Sequence, residues 1–269
     1  MKKTKQIFGI LLLLITVLIL VAFITEKKVS SEKINETDDS KFFTSKEKTE
    51  LGITEYTSLE IYSAPELKNQ FFVNVVDQTN WFETLYKVTV KDGSKTIEAV
   101  PYGGPIIDDI TFYSSKSGDD LKLPDTFLPV LLSVSSSTHM GNGNTYFYAF
   151  KQDGTMKELL CAEHTIDREK DSTNGAIFEN GRLHISLQTK ESEDGYSDII
   201  LNGREYTYGA TDTDISGKYL YQISDIKRVY SFNEDTLQYN KISDSKEIIQ
   251  TMDGVISYDD YWKSESKSN

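Results

Sequence analysis

The sequence predicts an all-β domain of mainly antiparallel hairpins behind one N-terminal transmembrane helix. Three observations predict it. Short runs rich in Val, Ile, Tyr, Phe and Thr recur about every ten residues from residue 71 to residue 242. Four dipeptides, Asp92-Gly93, Asp153-Gly154, Asn180-Gly181 and Asn202-Gly203, stand between such runs. A single apolar stretch, residues 7–24, precedes them all.

That stretch is interrupted only by Gly9 and Thr16. Eighteen residues at about 1.5 Å each span about 27 Å, close to the hydrocarbon thickness of a bilayer. Lipid offers no partner for free backbone groups, so a helix is required there. The run is longer than a signal-peptide core and ends Val21-Ala22-Phe23-Ile24 with no good cleavage site, which favours an uncleaved signal anchor over a secreted product with a cleaved signal. Lys2, Lys3 and Lys5 precede the run, and Lys27, Lys28 and Lys33 follow it, so the free amino terminus tips the charge count toward N-inside and C-outside.

Domain boundaries follow from composition. Residues 1–28 are leader and anchor, 29–55 a flexible polar stalk, 56–262 the β domain and 263–269 a polar tail. Setting aside residues 1–28, which hold five lysines and one glutamate, leaves 24 basic and 41 acidic side chains, a formal charge of −17. A domain that acidic repels phosphate backbones, so no nucleic-acid partner is expected. With Cys161 as its one cysteine the chain forms no intrachain disulfide, which suits a Gram-positive-type cell surface.

The expected strands, in order, are 71–76, 85–91, 96–100, 109–113, 127–135, 145–151 and 155–162. After these come 176–179, 182–189, 197–201, 205–208, 218–224, 227–232 and 237–242. Asn-Gly and Asp-Gly supply the positive φ angles of tight hairpin turns, so all four dipeptides are expected to be turns. The one helical candidate is 58–68, which Pro65 would shorten. Tyr146, Tyr148 and Phe150 alternate with Phe147 and Ala149, so both faces of that strand carry bulk and it should be buried on both sides. A sandwich, a barrel and a propeller all satisfy these patterns.

The segment Leu128-Pro129-Val130-Leu131-Leu132-Ser133-Val134, the loop 138–144, the aromatic run 146–150 and the turn Gln152-Asp153-Gly154 together resemble one blade of integrin-like (FG-GAP/VCBS-type) propeller repeats. The resemblance implies a propeller with several blades. Such repeats carry a calcium loop of alternating aspartates, whereas Asp119-Asp120-Leu121 stands in that place here and departs from the pattern.

Candidate chemistry is sparse. The order His139, Cys161, Arg168, behind an anchor and stalk, resembles the layout of sortase-type cysteine transpeptidases, which use a thiolate, a histidine and an oxyanion-stabilising arginine. Their Thr-Leu-x-Thr-Cys strand is replaced by Lys157-Glu158-Leu159-Leu160-Cys161, and the Ser-His-Gly-Cys signature of L,D-transpeptidases is absent. Three histidines, His139, His164 and His184, fall short of zinc-ligand spacing. Asp212 and Asp214, followed by Ser216-Gly217, form the best calcium candidate, although a hairpin turn with self-bonding aspartates accounts for them too. Tyr206, Tyr208, Tyr219 and Tyr221 lie at period two on adjacent runs, as a ladder that binds a ligand or simply stabilises a sheet. The expectation is a membrane-anchored, extracytoplasmic surface protein with a non-catalytic binding or accessory role toward an unknown protein or cell-wall partner. The alternative is an envelope cysteine enzyme using Cys161.

Overall fold

A computed structural model describes residues 43–138, 143–172, 175–189, 195–210 and 218–257. The chain divides into two units, 1–32 and 33–269, and every described residue belongs to the second. The apolar stretch 7–24 lies outside the described residues. Among the described residues no helix is long and apolar enough to cross a membrane.

Among the described residues thirteen strands form three antiparallel sheets, each threaded in chain order. The first holds β1 (Thr57–Tyr62), β2 (Gln70–Asp77), β3 (Phe82–Lys91) and β4 (Ser94–Ala99). The second holds β5 (Ile106–Ser114), β6 (Phe127–Ser137), β7 (Gly143–Lys151) and β8 (Met156–Glu163). The third, with much longer strands, holds β9 (Thr165–Ser172), β10 (Gly175–Thr189), β11 (Ser197–Ala210), β12 (Lys218–Asn233) and β13 (Gln238–Ser257). Its outer strands are β9 and β13, and β13 comes into contact with β8 of the second sheet.

The middle sheet separates two cores. Val130, Leu132, Val134, Tyr148 and Phe150 pack with Phe72 and Leu85 of the first sheet. There Phe72 meets Phe150 edge-on at 5.8 Å and Phe112 at 5.6 Å. Leu131, Phe147 and Ala149 point the other way, onto Ile199, Leu201, Ile226 and Phe232 of the third sheet. The period-two alternation of β6 and β7 thus feeds two cores, as the run 146–150 implied.

Two of the four dipeptides are the turns the sequence predicts. Lys91 pairs with Ser94 across Asp92 and Gly93, whose φ values of 51° and 78° are those of a type I′ hairpin. In the β7–β8 turn Gly154 N–H donates to Lys151 O at 2.9 Å, and Gly154 has φ 83°.

The other two dipeptides are not turns. Asn180-Gly181 lies inside β10 and Asn202-Gly203 inside β11, so expected runs merge into longer strands. The missing Cβ serves a close approach of backbones instead. A Cβ on Gly181 would sit 2.3 Å from Arg204 O, and one on Gly203 would sit 2.1 Å from Arg182 O. The two glycines flank the Arg182–Arg204 pair from opposite strands.

The helical candidate 58–68 is also corrected, because its first half is β1. Leu59 and Ile61 pair with Val75 and Val73, and they turn one face to a third apolar cluster. Nor is all of 29–55 stalk-like. A short helix, α1 (Ser45–Glu50), starts with a capping box in which Thr44 N–H donates to Glu47 Oε2 at 2.7 Å. Phe43 and Leu51, on either side of it, are buried against Ile61, Val73 and Val88 and cover the first sheet's outer face.

Gly203→Ala forces a methyl into the Arg182 carbonyl. It is expected to lower unfolding free energy by about 1–3 kcal/mol in urea titrations, as overpacking does. An unchanged midpoint would show that the two strands part there without cost.

Candidate functional site

Cys161 sits on β8 opposite Tyr146, and its side chain is exposed. Desolvation raises its thiol pKa, the nearby Glu158 carboxylate adds to the rise, and the Tyr146 hydrogen bond opposes it. A thiol so placed stays protonated at neutral pH, the reverse of what a cysteine nucleophile needs. His139 and the Arg168 side chain lie outside the described residues.

Of the tyrosine ladder, two members are described with their side chains. Tyr206 and Tyr208 pair with Ile223 and Leu220, and with those residues they form a small apolar cluster in which Tyr208 is buried. Tyr219 takes a register position opposite Gly209, while Tyr221 falls at the irregularity between Leu220 and Gln222. The side chains of Tyr219 and Tyr221 are outside the described part. The calcium candidates Asp212 and Asp214 are outside it too. Among the described residues no three His, Cys, Asp or Glu side chains gather as a metal would require.

His164, one of three histidines that the sequence left without a role, lies where the chain passes from β8 to β9. It is 2% exposed, with Nδ1 3.1 Å from Thr145 Oγ1 and Nε2 3.5 Å from Asp108 Oδ2. Thr145 Oγ1 in turn lies 2.9 Å from Ser135 Oγ. This row of polar groups is closed off from solvent at Thr145, so it ties the β8–β9 connection to the second sheet without offering a reactive hydroxyl. Gly143 lacks a Cβ because the imidazole occupies that space at 2.7 Å. Burial pushes the His164 pKa down, and the facing Asp108 carboxylate only partly offsets it.

Two clefts open on the surface. One of about 640 Å³ lies between the first and second sheets, lined by Lys87, Glu98, Tyr148 and Glu158 among others. Its lysine is already tied to Glu98 at 2.6 Å. The other, of about 430 Å³, lies between the β8 edge and the inner face of β11, β12 and β13. Its charges are paired across the gap. Arg228 donates to Glu163 O at 3.0 Å, reaches Glu163 Oε2 at 3.3 Å, and holds Asp244 at 3.6 Å. Lys241 meets Asp244 at 2.7 Å, and Lys246 pairs with the buried Glu205.

Beyond this cleft β13 runs on as an outer strand, hydrogen-bonded to β12 alone among the described strands. Every residue from 240 to 251 is exposed. Among the described residues, three of the six exposed large apolar side chains are here: Ile242 (59%), Ile248 (57%) and Ile249 (43%). Register slips against β12 leave Ile242 and Ile249 as extra residues, so 243–248 is a regular stretch between two bulges. The sequence offered little warning, because Ile248 and Ile249 sit among charged residues where no alternation marks a strand. The other exposed apolar group is Tyr56, Trp81 and Phe82 at the β2–β3 turn, where Trp81 takes a left-handed φ of 56°. No protein-family model matches this chain, and no curated protein or solved structure matches it.

Two measurements check this chemistry. The folded-state pKa of His164 lies below its unfolded value near 6.5, so its stabilising contribution is complete above about pH 6.5 and is lost as pH falls through the folded value. Relative to His164→Gln, the native protein should therefore lose up to about 1.4 kcal/mol per pH unit across that window in denaturant titrations. Parallel curves would sink the assignment. Cys161 should react with iodoacetamide at pH 7 more slowly than a free cysteine does, and faster labelling would reopen the cysteine-enzyme reading.

Proposed function

We propose that this chain is a membrane-anchored, extracytoplasmic, non-catalytic module that holds a protein partner along the β13 edge. The observation that carries the reading is the exposed outer strand itself. Natural sheets cover, charge or shorten such edges, because unpaired backbone groups beside apolar side chains recruit another strand. Here the edge is long, and isoleucines stand on it. A strand added there would gain backbone hydrogen bonds in register and bury the isoleucine side chains.

The remaining support is electrostatic and topological. The formal −17 outside the leader favours a neutral or basic partner over phosphate backbones or an anionic lipid surface. The apolar stretch 7–24 is long enough to hold the domain at a bilayer. The raised thiol of Cys161 weighs against an envelope cysteine enzyme. A second reading rests on Tyr56, Trp81 and Phe82, whose exposed rings suit stacking on a wall glycan.

Cys161 makes the topology testable, being exposed and the chain's one cysteine. A membrane-impermeant maleimide applied to intact cells should label it, and labelling only after lysis would place the domain inside. For the edge, a photo-reactive residue at Ile248 should yield a covalent protein adduct in living cells. An adduct at Trp81 or binding to wall polymer, with none at Ile248, would favour the glycan reading.

A further inference from the structure

The geometry points to a second copy of this chain as the occupant of the β13 edge, in an antiparallel two-fold pairing centred on Ser245. The inference rests on the edge-binding reading above and names its partner.

A two-fold antiparallel contact sets each residue opposite its mirror position about the centre, so the strand must complement itself. Around Ser245 it does. Asp244 falls opposite Lys246 of the second copy, and Lys246 opposite Asp244, which makes two ion pairs. At the two ends of the pairing Ile242, the bulge residue that closes the regular stretch, comes level with Ile248 of the second copy, bringing the two most exposed isoleucines together. Ser243 meets Glu247 without conflict.

Neighbouring registers fail. Centring on Asp244 or Lys246 sets like charges face to face, and centring between Ser245 and Lys246 sets Asp244 against Glu247. Centring between Asp244 and Ser245 sets Ile242 against Glu247. One register alone matches both charge and apolarity.

Net charge favours the same strand. Lys241, Lys246, Asp244 and Glu247 cancel over 240–251, while residues 29–269 as a whole carry −17. Two copies that repel over their acidic surfaces meet here on a stretch of zero net charge. Asp244, held by Lys241 and Arg228, and Lys246, held by Glu205, still keep 43% and 38% of their side chains exposed. The bulges at Ile242 and Ile249 end the regular stretch and limit the pairing to about seven residues. The contact closes on itself, so it gives a dimer and no fibre.

The test uses the full-length protein in its membrane, in a Cys161→Ser background. Ser245→Cys sets two thiols directly opposite, at Cα separations a disulfide spans, so mild oxidation should trap a dimer. Ser243→Cys or Glu247→Cys alone should not, whereas the two variants mixed should. In detergent solution, Ile248→Asp should weaken the dimer by at least about tenfold in sedimentation equilibrium. A photo-adduct from Ile248 to a different protein, with no dimer trapped at position 245, would overturn self-pairing and leave the edge-binding reading standing. Absence of both would overturn both. A dimer that survives Ile248→Asp and is not trapped at position 245 would move the interface elsewhere.

Discussion

Because Val130, Leu132, Tyr148 and Phe150 face one neighbouring sheet while Leu131, Phe147 and Ala149 face the other, the central strands of the second sheet are packed on both faces. Its two central strands supply one wall of each large core. Fully burying a Leu, Val or Phe side chain contributes about 1.5–3 kcal/mol, and β6 and β7 bury Phe127, Val130, Leu131, Leu132, Val134, Phe147 and Phe150. The outer sheets need only one apolar face each. The first covers its other face with Phe43 and Leu51, on either side of α1, while much of the third leaves its outer face to charged pairs such as Arg204–Asp225.

The same double burial explains how far the fold was legible in the sequence. Alternating bulk on both parities of 146–150 is a local signal, and it reports a non-local fact because two sheets must lie on either side. The four dipeptides show the opposite case. A glycine is required wherever a Cβ cannot fit, whether the obstacle is a positive φ or a neighbouring backbone. Asp92-Gly93 is the first kind, and Gly181 and Gly203 are the second. The obstacle for Gly181 is the carbonyl of Arg204, on the partner strand, so nothing near Asn180 in sequence distinguishes the two. Leu59 and Ile61 likewise read as a helix until Val73 and Val75 are present to pair with them.

Site residues were less legible than the fold for a related reason. Cys161 stood out for its rarity, yet the reactivity of a thiol depends on the groups beside it, here Tyr146 and Glu158 with desolvation. Tyr206 and Tyr219 looked like neighbours by period, but the slip between Thr207 and Tyr208 shifts the register and sets Tyr219 opposite Gly209. The buried His164 row, drawing on Asp108, Thr145 and Ser135 from three strands or their ends, has no sequence signature at all.

What distinguishes β13 from the strand edge nearest to it is the treatment of its backbone. On β8, the Glu163 carbonyl accepts a hydrogen bond from Arg228, and at the other end Lys157 Nζ reaches across to Thr236 O at 3.3 Å. These contacts occupy the β8 edge and hold the third sheet against it. The residues that make them come from β12 and its turn, while β13, which also approaches β8, is hydrogen-bonded among the described strands to β12 alone.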